Sequence, residues 1–191
     1  LTMLGSRHVE VEPLDDDGHR PVIFVHGLGG HPGNFLLLRG YFRLTGRRRL
    51  YAVGLGQGST VEDMGLALRA YIAAVLERNG LPADAKVDLV AHSMGGIVSR
   101  IALEDPVARA QVDRLITLGS PHHGTFAARY LATHHGLALR PDSAILARLS
   151  AQEPWPAPPE WPRLFAFFSH ADALLLPAET APPEGKARLL A

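Results

Sequence analysis

One stretch holds residues whose types and order could do chemistry: Val87-Asp88-Leu89-Val90-Ala91-His92-Ser93-Met94-Gly95-Gly96-Ile97-Val98-Ser99-Arg100. An apolar, strand-like run is broken by a serine between small residues, and a helix-like pattern follows. A serine on a sharp strand-to-helix turn keeps its hydroxyl exposed, and the positions two before and two after it must be small for the backbones to close up. Here they are Ala91 and Gly95. Alanine stands where the G-x-S-x-G pattern has glycine and meets nearly the same steric demand. A helix beginning at Met94 would also turn its unbonded N–H groups and positive dipole end toward the serine, which favours an oxyanion there. The chemistry is nucleophilic attack by a hydroxyl, with a covalent intermediate. The competing reading is a buried strand that ends at a serine N-cap; what separates the two is whether partner residues lie elsewhere.

Two other groups qualify as partners. His26-Gly27-Leu28-Gly29-Gly30 follows the apolar run Pro21–Val25, and such a turn lets the backbone approach a ligand with its N–H groups forward. An ordinary glycine turn is the alternative at that point. Ser169-His170-Ala171-Asp172 closes the apolar run Leu164–Phe168 and offers a carboxylate.

These groups need elements to hold them. Pro21–Val25, Leu50–Leu55, Lys86–Ala91, Val112–Leu118 and Leu164–Phe168 read as short buried strands. An alternating piece around Val9 and Val11 reads as an edge strand, and Lys186–Ala191 as the start of a last strand. Helical spacing occupies Gly33–Leu44, Val61–Arg78 with Thr60 as N-cap and Asn79-Gly80 as its end, Met94–Glu104, a segment from Thr125 to about His134, and Asp142–Ala151. Gln152–Pro162, with five prolines and both tryptophans, reads as a loop. Strands alternating with helices predict right-handed crossovers, a mostly parallel sheet with helices on both faces, and a site at the carboxyl ends of the strands.

The chain's 191 residues suit one domain, with residues 135–162 an inserted cap or loop. Nineteen basic and nineteen acidic side chains cancel, and nothing in the charge pattern favours nucleic acid. The basic run Arg43, Arg47, Arg48, Arg49 reads as a solvated helix end. There is no cysteine, which excludes disulfides, thiolate metal sites and a thiol nucleophile. No run is long and apolar enough to span a bilayer, and the N-terminus lacks a signal-peptide layout, though the chain begins at Leu1 and a leader could precede it.

With the turn, the serine and the acid in this order, the chain resembles the lipase-type α/β-hydrolases, and in particular compact bacterial triacylglycerol lipases and esterases with an Ala-His-Ser-Met-Gly-Gly elbow. The resemblance spans about residues 20–177 and rests on Pro21–Gly30, Val87–Arg100, Leu115–Thr125 and Phe168–Asp172. It implies an α/β-hydrolase fold, Ser93 as nucleophile, Asp172 as the acid orienting a histidine, and the backbone N–H groups of Leu28 and Met94 as the oxyanion hole. It implies hydrolysis of an ester with an apolar acyl chain through an acyl-serine, a lipid or small ester as partner, transient contact with a lipid interface and a secreted protein. That chemistry needs no cofactor or metal, and no compact acidic loop argues for calcium. All ten histidines precede Asp172, whereas this fold supplies its base from a loop after the final strand. The expectation is therefore a catalytic histidine beyond residue 191 and a C-terminal end missing here.

His92 is expected to pack rather than act as base, and His122 and His123 to position their Pro-x-x-Gly-Thr loop rather than bind metal. His170 shares a strand face with Asp172 and is too close in sequence to be the base. Leu36, Phe126, Leu174–Leu176, Trp155 and Trp161 are candidates for an acyl-binding wall, with burial in the core as the alternative for each. Fold and triad leave the leaving group open, so a thioesterase, peptidase or acyltransferase remains an alternative, as does an inactive lipid-binding homologue.

Overall fold

The computed structural model describes residues 10–56 and 58–169 and the backbone of residues 187–189; Asp172, His170 and Leu174–Leu176 lie outside the described residues. Six strands, β1 (Val22–Val25), β2 (Leu50–Val53), β3 (Val87–His92), β4 (Val112–Leu118), β5 (Arg163–Phe168) and β6 (Ala187–Leu189), form one sheet in the order β2-β1-β3-β4-β5-β6, every pair parallel. Between them run α1 (Leu36–Leu44), α2 (Val61–Arg78), α3 (Met94–Ala102), α4 (Pro106–Ala110), α5 (His134–Ala138) and α6 (Ala144–Ser150). The chain moves outward from β1 to β2 and then returns to the other side of β1 for β3. The carboxyl ends of β1 and β3 therefore flank a topological switch point, where open α/β sheets bind ligands.

Both faces of the sheet are covered, and the period of two in each strand sorts the side chains. Ile23, Val25, Tyr51, Val53, Leu89, Ala91 and Leu115 join the larger core beneath α2 and α3. Val22, Phe24, Leu50 and Val90 join Phe35 and the inner side of α1, where Leu38 and Phe42 pack. Phe24 meets Phe35 and Phe42 at ring-centroid distances of 5.1 and 5.8 Å.

The longest helix has the bounds its sequence pattern predicts. Thr60 Oγ1 accepts the Asp63 N–H at 3.1 Å while the Asp63 carboxylate accepts the Thr60 N–H at 3.2 Å, a reciprocal cap worth about 1 kcal/mol. Met64, Leu68, Ile72 and Val75 are buried on one side, and Gly80 leaves the helix at φ 58°. Among the described residues no helix is long and apolar enough to cross a membrane.

Three members of the basic run are ion-paired, while Arg43 and Arg48 remain exposed as expected. Arg49 reaches Asp16 at 2.8 Å, Arg48 reaches Asp15 at 3.4 Å, and the Asp17 carboxylate accepts the backbone N–H groups of Arg48 and Arg49. Hydrogen bonds to those N–H groups and to His19, with the Arg47 charge, hold the Asp17 carboxyl below its usual range against the opposing effect of burial. The acidic turn and the basic run thus cancel at the foot of the sheet.

The expected edge strand and the expected helix from Thr125 to His134 are corrected, and two features are added. Val11 is buried against the core but lies in no strand, and Val9, the other half of the expected edge strand, lies outside the described residues. A short helix, α4, follows Asp105, whose side chain accepts the Ala108 N–H at 2.8 Å with Pro106 at the first turn. No continuous helix runs from Thr125 to His134. Instead a 3-10 turn at Phe126–Tyr130 stops at extended Leu131, and Thr133 caps α5 by accepting the Gly136 N–H at 3.1 Å. A side chain at Gly136 would strike the Leu131 carbonyl, so close approach sets that break. Finally, Trp155 and Trp161 pack edge to face at 4.9 Å against the large core, under Arg100 and Arg109.

Candidate active site

β3 delivers Ser93 in a conformation that few residues adopt. Its φ is 53° and its ψ −129°, and among the described residues no other non-glycine residue has positive φ. Such a backbone costs on the order of 1–3 kcal/mol and persists only where its surroundings enforce it. Two constraints do so: the Ser93 N–H is held by the Leu118 carbonyl at the end of β4, at 2.9 Å, and α3 starts at the next residue. Met94, which is buried, is the first residue of α3, so its N–H has no intrahelical carbonyl to bond.

The turn after β1 lies directly against this serine. A Cβ placed on Gly27 would come within 2.8 Å of the Ser93 Cβ and 3.2 Å of its Oγ, and one on Gly95 would overlap the Val25 carbonyl and lie 2.8 Å from that of His26. Close backbone approach therefore explains both glycines. Gly29 at φ 64° and the Gly30 N–H bonded to the Gly27 carbonyl at 3.0 Å close the turn, with the Leu28 side chain partly exposed.

His26 locks that turn in place. Its Nε2 accepts the Leu55 N–H at 3.2 Å, so Nδ1 must carry the ring hydrogen and donates it to the Gly27 carbonyl at 3.0 Å. With both nitrogens engaged and the ring buried, this histidine orients the turn. Beside the turn is a cavity of about 280 Å³ that reaches from Gly27–Gly29 past Met94 to α5. The wall candidates Leu36, Phe126, Trp155 and Trp161 do not line it; both tryptophans pack against the large core, the alternative that the sequence left open, and Trp155 also lines a separate cavity with Pro156, Pro158 and Phe165.

The described carboxylate on β3 belongs elsewhere. Asp88 aligns with Val22 at the start of β1, the opposite end of the strand from Ser93. Burial pushes its carboxyl above the usual range, against the opposing charges of Arg114 and Arg20.

A buried polar network stands behind the elbow helix. Arg100 is fully buried, places one guanidinium nitrogen 3.0 Å from Glu153 Oε1 and donates to the Leu149 carbonyl at 2.6 Å; Glu153 Oε2 is 2.7 Å from His123 Nε2. It ties α3, the Pro121–Thr125 loop and the segment after α6 together. Sequence reasoning missed it, although an arginine inside Ile97-Val98-Ser99-Arg100-Ile101-Ala102 is the kind of signal that marks one. Because removing one member strands the other charge, Arg100→Met should lower unfolding free energy by about 3–5 kcal/mol, read from a urea transition.

His122 is fully buried, 3.0 Å from Thr117 Oγ1. Burial first, then the Arg100 charge and His123, hold its pKa well below 6.5. The folded state thus disfavours a proton that the unfolded chain binds below about pH 6.5. Its contribution is complete above that pH and is lost as pH falls beneath it, with a slope of up to about 1.4 kcal/mol per pH unit. Urea midpoints between pH 7.5 and 5 should fall steeply in the native protein and less steeply in His122→Asn.

The fold is that of the lipase-type α/β-hydrolases. Residues 52–134 match the family model described as the PGAP1-like alpha/beta domain. GPI inositol-deacylase B of Yarrowia lipolytica is 33% identical over 163 residues, covering 69% of this chain and 17% of its own length; the chain thus spans a small part of that relative. Among solved structures, the mature form of the Bacillus licheniformis lipase BlEst2 has a TM-score of 0.68 at 25% identity, over 83% of this chain and 68% of that one. Aspergillus fumigatus lipase B has a TM-score of 0.69 at 17% identity, over 87% and 42%, and shares the fold.

Proposed function

We propose that the protein is a serine carboxylic ester hydrolase, a lipase or esterase, acting through an acyl-serine on esters with apolar acyl chains. The observation that carries this reading is the positive φ of Ser93, a strain that an ordinary strand end has no use for, at a point where the Gly27 backbone presses on the serine. Ser93 Oγ attacks the ester carbonyl while a histidine oriented by Asp172 takes its proton. The tetrahedral oxyanion accepts hydrogen bonds from the Leu28 and Met94 N–H groups. The histidine then protonates the departing alcohol, and water releases the acyl group by the same steps in reverse order. The partner is a lipid or small ester, met transiently at a lipid interface. Likeness to a lipase and to an inositol-deacylase supports an acyl ester over an amide, since both names describe removal of an acyl group from an alcohol. A panel of matched oxygen esters, thioesters and peptides separates this reading from other acyl transfers on the same scaffold. Oxygen esters should have the highest kcat/KM; a thioester or peptide turned over tenfold faster would replace the proposal.

A further inference from the structure

The chain that leaves the glycine turn after β1 builds a helix with two apolar sides. His31 Nδ1 accepts the Gly33 N–H at 3.1 Å to start the 3-10 turn Pro32–Phe35, and α1 continues from it without a break. Phe35, Leu38 and Phe42 face the sheet and pack with Phe24 in the smaller core. Leu37, Tyr41 and Leu44, spaced i, i+4 and i+7, form a stripe on the opposite side, and Leu36 flanks it. Leu37 and Leu44 are each 88% exposed, and Leu36 and Tyr41 each 65%. Gly40 lies within the stripe, and a Cβ added there would meet open space. A helix whose solvent side is as apolar as its inner side has a second face suited to being covered.

The charge beside that stripe has one sign. No aspartate or glutamate occurs from Pro21 to Val61, whereas Arg39, Arg43, Arg47, Arg48 and Arg49 do. Arg39 turns inward and donates to the Leu50 carbonyl at 3.1 Å, and Arg47 and Arg49 meet Asp17 and Asp16 at the foot of the sheet. Arg43 is exposed and has no ion pair among the described residues. The contact of Arg48 with Asp15 at 3.4 Å is an exposed one, of a kind that solvent reduces to little value. Both arginines border a hollow of about 340 Å³ at the carboxyl end of α1, with Asp15 as its one acid. Leucines and a tyrosine to enter hydrocarbon, edged by guanidinium groups on flexible stems, are what a surface helix presents to an anionic bilayer. A second copy fits less well. A two-fold contact would join this face to itself, and α1 has no acid to answer its arginines.

Resting on the reading above of an ester hydrolase met at a lipid interface, we propose that α1 is the face that docks on that interface and that the lipid it selects is anionic. Leu37, Tyr41 and Leu44 enter the hydrocarbon edge, and Arg43 and Arg48 hold headgroup phosphates. Because the turn that carries Leu28 leads directly into the 3-10 turn and α1, docking brings that turn to the lipid surface. The docking face and Ser93 are separate groups, so binding and turnover can be read apart.

The experiment measures co-sedimentation of the full-length protein with vesicles of phosphatidylcholine alone and of phosphatidylcholine mixed with phosphatidylserine, beside hydrolysis of a water-soluble acetate ester. The native protein should bind the phosphatidylserine vesicles at least tenfold more tightly, and added salt should erase the difference. Leu37→Glu/Leu44→Glu should lose at least tenfold in affinity, and Arg43→Glu/Arg48→Glu should lose the preference for phosphatidylserine. Leu66→Glu, which changes an exposed leucine of α2 across the sheet, should bind as the native protein does. All three variants should hydrolyse the soluble ester at the native rate. Unchanged binding in either double variant, an equal loss in Leu66→Glu, binding without preference for phosphatidylserine, or no binding to either vesicle overturns the docking face while ester hydrolysis stands. A dimer seen by sedimentation equilibrium and abolished in Leu37→Glu/Leu44→Glu would give the face to a second copy and overturn it too. A native protein that binds these vesicles through α1 yet hydrolyses no ester overturns the hydrolase reading alone.

Discussion

Ser93→Ala is expected to lower ester turnover by on the order of a millionfold, the loss seen when a triad nucleophile is removed and only the oxyanion hole and binding remain. The folded state should survive the change, because the side chain contributes chemistry rather than packing. Ser93→Gly should go further in one respect. Glycine adopts φ 53° without a Cβ penalty, so releasing that strain should raise the unfolding free energy by about 1–2 kcal/mol while activity is lost. Circular dichroism melts beside hydrolysis rates would read both effects. A Ser93→Gly protein less stable than the native one would mean that the elbow is not strained in the way its backbone indicates.

The second large effect belongs to a residue with no side chain. Gly27→Ala puts a methyl group 2.8 Å from the Ser93 Cβ and 3.0 Å from the His92 carbonyl, closer than real contacts allow. Either the serine or the turn carrying the Leu28 N–H must give way, and misplacement approaching 1 Å at a reacting centre costs about a hundredfold in rate. The change should appear in kcat with KM for a short ester nearly constant, since it disturbs the attack geometry and not the seat of the chain. A mutant with native kcat would show that the turn and the serine are not mechanically coupled.

Much of this arrangement is legible before folding is considered. The strand runs and the long helix follow from hydrophobic period and caps, and the elbow follows from small residues around Ser93, because those features are local. The order of the strands is not local, yet alternation of strand and helix restricts it to parallel crossovers. What escapes is decided between distant segments. Gly95 looks like a generic small residue in the sequence, but its necessity lies in the Val25 and His26 carbonyls packed upon it. The pairing of Arg100 with Glu153 joins residues far apart in the chain, and so do the ion pairs of Arg47, Arg48 and Arg49 with Asp17, Asp15 and Asp16. In the sequence, Leu36, Phe126, Trp155 and Trp161 read as either pocket wall or core. The half-buried tryptophans pack against the core, as the alternative reading had it, and the cavity beside the turn is lined by Leu55, Met64 and Leu131, whose spacing alone marks them as nothing more than apolar.

The account's central claim is that the hydroxyl of Ser93 is the group that becomes acylated. The most direct measurement is to react the full-length protein with a fluorophosphonate and locate the adduct by peptide mass spectrometry. A single phosphonylation on Ser93, abolished by heat denaturation before labelling and absent from Ser93→Ala, is the predicted result. Labelling at another residue, or undiminished labelling of Ser93→Ala, would contradict it.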